Sequence, residues 1–177
     1  MFKAPRFELR TTEELIVMSE KIKKMEEMAK MEEKYAVGLE GDVWGLENPV
    51  IKGLVASIAQ DSKKHAGLYT TLASLLKKES LVLVEDDAVE FEASLKKHIE
   101  VEEKMMQEVS NLYKDIDDDR VKLILSEIYA DEQRHHKFMK NLHEAIVKRD
   151  TLSDKDIWNM IWRDVESHGA PPSYDVY

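Results

Sequence analysis

Apolar residues recur along most of this chain at alternating intervals of three and four, the spacing of one helix face and not of a strand. The pattern predicts four long helices and a short fifth. The first opens at Thr11, where Thr11-x-x-Glu14 reads as a capping box, and its stripe is Leu15, Met18, Ile22, Met25, Ala29, Ala36 and Leu39. Gly38 and Gly41 are expected to end it, leaving residues 42–47 as a loop. Asn48-Pro49 starts the second helix, because Asn caps orphan amides and Pro is tolerated at the first helical position. Its inward positions are expected to include Ile51, Leu54, Ile58, His65, Leu68 and Leu72.

Residues 78–86 break the period. Ser80 to Val84 is apolar and partly β-branched, which predicts an extended segment. Nine residues at about 3.3 Å each span roughly 30 Å, the length of a 20-residue helix, enough to cross a bundle end to end. The third helix is predicted over about 88–116, with Leu95, Ile99, Met106, Val109 and Tyr113 in its stripe. Asp117 to Asp119 supplies caps for a fourth helix reaching about residue 149, with the stripe Val121, Ile124, Ile128, His135, Phe138, Leu142 and Ile146. Ser153-x-x-Asp156 caps the short helix, which Trp158 and Trp162 are expected to anchor to the bundle or to another subunit. The tail from Gly169, with Pro171-Pro172, is expected to lie extended. The expected class is all-α, with an N-terminal extension over 1–10, a four-helix bundle over 11–149, and a short helix with its tail over 150–177.

Composition narrows the function classes. The 177 residues carry 26 Lys+Arg against 36 Asp+Glu, a net charge of −10. That balance argues against nucleic acid, whose phosphates need clustered cations, and against anionic membrane surfaces. No apolar run approaches the roughly 18 residues of a membrane span. With no apolar core in the first ten residues, a cytoplasmic address is the expectation. Zero cysteines exclude disulfides, thiolate zinc sites and iron–sulfur clusters.

The chain also repeats itself at an offset of 70 residues without a gap. Ile58-x-x-Asp61-x-x-x-His65 falls on Ile128-x-x-Asp131-x-x-x-His135, and Glu32-Glu33-Lys34 falls on Glu102-Glu103-Lys104. Eight identities occur over residues 32–76, where chance supplies roughly three. They sit largely on polar residues, whereas a repeat driven by packing alone would match on apolar ones. Glu32 lies inside its helix's stripe between Ala29 and Ala36, and Glu102 lies seven residues from both Leu95 and Val109. Buried carboxylates and imidazoles cost several kcal/mol unless paired or metal-bound. Glu132-x-x-His135 puts a carboxylate and an imidazole on one helical face. Carboxylate oxygens plus imidazole, without thiolate, suit iron or manganese, with zinc a further occupant. The alternative for these residues is a metal-free buried salt-bridge network.

On these motifs the sequence, from about Leu15 to Ile146, resembles the ferritin-like, rubrerythrin-like superfamily of di-iron carboxylate proteins; Asp131 to His136 is the closest local match. The family pattern is one Glu from helices 1 and 3 and Glu-x-x-His from helices 2 and 4. The resemblance implies a ferritin-like four-helix bundle of two helical hairpins joined by an extended crossover. It implies Glu32, His65, Glu102, Glu132 and His135 as metal ligands, with Asp61 and Asp131 accepting the free imidazole N–H groups of the opposite half. One position departs: Ser62 stands where the second helix should carry the Glu of Glu-x-x-His. Three carboxylates against two divalent cations leave a residual positive charge, so the second metal binds more weakly, and an iron pair or a single metal are both open. Water or hydroxide is expected beside Ser62, at a position that admits an oxidant.

The function expected from the resemblance is a non-haem iron or manganese oxidase or peroxidase acting on dioxygen or peroxide. Lacking cysteine, it takes electrons from an external donor. The alternatives are iron oxidation and storage in a larger oligomer, or a helical scaffold with a structural or vacant site. A homo-oligomer, with a dimer favoured, is the expected state.

Overall fold

The computed structural model describes residues 11–81, 85–148 and 151–165. Those residues are all-helical: α1 (Thr12–Trp44), α2 (Pro49–Leu76), α3 (Glu85–Asp115), α4 (Asp119–Val147) and α5 (Asp154–Ile161), with no strand among them. Residues 1–10, 82–84 of the expected crossover, Arg149, His168 and the tail from Gly169 lie outside the described residues.

The helix starts follow the sequence signals. Thr11 and Glu14 form the reciprocal capping box of α1. Asn48 Oδ1 accepts from the amides of Val50 and Ile51, with Pro49 at the first position of α2. Asp118 caps α4, and Ser153 with Asp156 boxes α5. Two ends differ from expectation. α1 runs through Gly38 and Gly41 to Trp44, because the turn beyond them makes tertiary contacts: Val43 is buried, and Glu40 pairs with Lys63 and Gln60 of α2. α3 begins at Glu85, before the expected start at residue 88.

The chain divides into two compact units, Met1–Glu79 and Ser80–Tyr177. The first is a hairpin of α1 on α2. Its buried seam is made of small side chains: Ala36 and Val43 on α1, and Ala59, Ser62, Ala66 and Ala73 on α2. The expected inward stripe of α2 is not this seam. Ile51, Leu54, Ile58, Leu68 and Leu72 are between 43% and 49% exposed, and they lie about a quarter turn around the helix from the alanines. A two-helix hairpin buries a single seam on each helix, and here the smallest residues take it because they let the backbones approach.

The second unit is the hairpin α3–α4 with α5 packed on the end of α4. Ala88, Leu95 and Ile146 form its buried core, flanked by Ile99, Met139 and Leu142. α5 is held by Ile157, which is buried, and by the edge-on stacking of Phe138 on Trp162, with Trp158 beside it. Asn141, almost fully buried, donates to the carbonyls of Ile161 (3.1 Å) and Arg163 (2.7 Å) and so satisfies orphan groups at the end of α5. The anchoring role expected of the two tryptophans is met within this unit.

The 70-residue repeat reappears in the helix boundaries. α2 and α4 begin at Pro49 and Asp119, behind caps at Asn48 and Asp118, each pair 70 apart. α1 and α3 end at Trp44 and Asp115, within one residue of that offset. Each unit therefore presents its conserved-in-register polar residues from the same two helical positions.

Candidate metal centre

In the second unit, α3 supplies Glu102 and α4 supplies Glu132 and His135. One ligand atom from each lies within 4.8 Å of the others, and among the described residues these three form a group able to hold a metal ion. The placement follows from the helices. Residues 132 and 135 are one turn apart on α4, and Glu102 stands in the α3 stripe that meets it. Glu132 is buried, with a residual exposure of 9%, while His135 remains exposed.

The electrostatics of the group are unfavourable without a cation. Burial, then the hydrogen bond that the protonated Glu102 carboxyl donates to Glu132, then the negative charge of Glu132, push the Glu102 carboxyl up to about 7. Two neighbouring carboxyls in a partly dry site resist joint ionisation. Glu102 Oε2 is sequestered from solvent and has no hydrogen-bond partner. A buried, unpartnered carboxylate oxygen costs free energy that coordination to a cation would recover. The donor set of two carboxylates and an imidazole fits a first-row divalent ion.

In the first unit, the residues at the same register are Glu32, His65 and Ser62. His65 Nδ1 lies 3.7 Å from Glu32 Oε1, and the imidazole is half exposed. Ser62, at the register of Glu132, is buried in the alanine seam with 6% exposure. Sequence reasoning expected an open position there; the small side chains around it instead draw α1 and α2 together. Thus each hairpin pairs its inward Glu with its His, and the second alone adds the Glu at the intervening position.

The remaining candidates divide. Asp61 pairs with Lys64 (2.7 Å) and Asp131 with Arg134, each one turn along its own helix. His98 is exposed, and Tyr35 is 56% exposed. His136 and His143 are both half-buried, and His136 Nδ1 is sequestered without a hydrogen-bond partner. His143 lies 3.5 Å from Glu92, whose carboxyl is held below its usual range chiefly by Lys96. The signal missed is a seven-residue spacing: Tyr129, His136 and His143 fall at the register of Ala59, Ala66 and Ala73, the buried seam of the first hairpin.

No family model, curated protein or solved structure matches the chain.

Proposed function

We propose that this protein is a ferritin-like metal protein, a non-haem iron or manganese oxidoreductase that acts on dioxygen or peroxide. The observation that carries the reading is the Glu102–Glu132–His135 group, with its sequestered and unpartnered carboxylate oxygen. Glu32 and His65, which repeat Glu102 and His135 at the same offset, complete the ligand set that the family resemblance implies. The reading includes the four-helix bundle that the family resemblance implies. Support for it comes from the apolar stripe that accompanies each histidine: Ile51, Leu54 and Ile58 before His65, and Val121, Ile124 and Ile128 before His135, all still exposed. Such stripes mark surfaces made to be covered.

A bound metal supplies a change of oxidation state and a coordination position at which an oxidant is held. The protein's own part is to position and neutralise. The Glu102 carboxyl, raised to about 7 in the absence of a cation, gives up its proton when one binds, so uptake is coupled to proton release. His135 adds a neutral donor from the exposed side of the group, where small molecules arrive. With no cysteine in the chain, the reducing electrons come from a separate donor.

The test is peroxide turnover. Full-length protein loaded with ferrous iron under argon is expected to consume hydrogen peroxide in the presence of a small-molecule reductant, and Glu102→Gln is expected to lower the rate by at least about tenfold. Equal rates for the loaded wild type and the variant would contradict the assignment.

A further inference from the structure

We propose that the α3–α4 hairpin is a self-sufficient site for one divalent cation, and that the α1–α2 hairpin is not, so that the chain takes up one ion tightly before any second. The inference rests on the metal-site reading above and adds the order and asymmetry of loading. Three observations carry it. The second hairpin brings two carboxylates and an imidazole together without help from elsewhere in the chain. One divalent cation against Glu102 and Glu132 leaves no net charge, the least costly state for an ion in a partly dry site. Glu102 Oε2 and the buried Glu132 are already withdrawn from water, so part of the desolvation of the carboxylate donors precedes the ion.

The first hairpin lacks each of these. Its pair, Glu32 and His65, offers one negative charge and two donors, with the imidazole half in solvent. The substitution at Ser62 is not an isolated loss. Where the first hairpin has Ala36, Ala59, Ser62, Ala66 and Ala73, the second has Met106, Tyr129, Glu132, His136 and His143 at the same register. This seam is built chiefly of small residues, which favour a close approach of α1 and α2, and Ser62 is buried within it. The gap therefore belongs to the packing of the hairpin, and the halves differ at five register positions, not one.

The probe is Mn(II) titrated into metal-free full-length protein, with the free ion counted by its paramagnetic resonance signal. One tight ion per chain is expected. Glu32→Gln and His65→Ala, at partly exposed positions, are expected to leave this first step within about twofold, while Glu102→Gln and His135→Ala weaken it by more than about tenfold. His135 is exposed, so its variant keeps the test intact if Glu102→Gln disturbs folding, and circular dichroism melts check both. Two equal steps, or loss of the first step in Glu32→Gln, would overturn the asymmetry while leaving the metal-site reading in place. No uptake at all would overturn both.

Discussion

Glu102 is the residue on which the chemistry turns, because it is inward, paired with a second carboxylate and left with an unpartnered oxygen. Its carboxyl titrates near 7 in the folded, metal-free protein, against an ordinary value of 4.5. Between those values the folded state holds a proton that the unfolded state has released, so this group's contribution to stability is present at low pH and is lost as pH rises through about 7. Melting temperatures of the metal-free protein are therefore expected to fall between pH 5 and 8 from this source, and Glu102→Gln is expected to flatten the fall. An unchanged slope in the variant would remove this proton from the account. At this scale the sequence was informative where polar residues broke an apolar stripe, as Glu102 and Glu132 do. It was uninformative for His136 and His143, whose burial depends on which of two adjacent helix faces becomes the seam.

At the scale of the elements, local chemistry predicted the helix starts and not all of the ends. Thr11, Asn48, Asp118 and Ser153 each carry a side-chain oxygen that accepts from a first-turn amide, a signal written in the residue itself. The end of α2 has no such mark. Lys78 takes a left-handed conformation (φ 62°), its amide bonds Leu75 O, and the Glu79 amide reaches back to Ser74 O. That is the Schellman arrangement, in which glycine is the usual residue. Gly38 and Gly41 mislead in the opposite sense, since tertiary contacts carry α1 past them. An added Cβ meets nothing within 4 Å at either position. Gly38→Ala and Gly41→Ala are accordingly expected to stabilise the protein by about 0.5–1 kcal/mol each, measured by denaturant unfolding. Destabilisation by either would mean that the helix needs glycine there for a reason beyond its own backbone.

For the molecule as a whole, the repeat was the most legible feature, because the same offset that aligned Glu32 with Glu102 and His65 with His135 also aligns the caps and boundaries of the helices. What the offset concealed was the difference between the halves: an alanine-lined seam in one hairpin, and in the other a buried carboxylate, Glu132, at the register of Ser62. Substitution at many packing positions leaves an apolar period intact, so periodicity alone does not report it. Diffraction at the manganese absorption edge, from crystals grown with Mn(II), tests the central claim most directly. The account predicts an anomalous peak at roughly 2.0–2.2 Å from oxygens of Glu102 and Glu132 and from a ring nitrogen of His135. Well-ordered crystals with no peak at that group, or with the ion held by other residues, would contradict it.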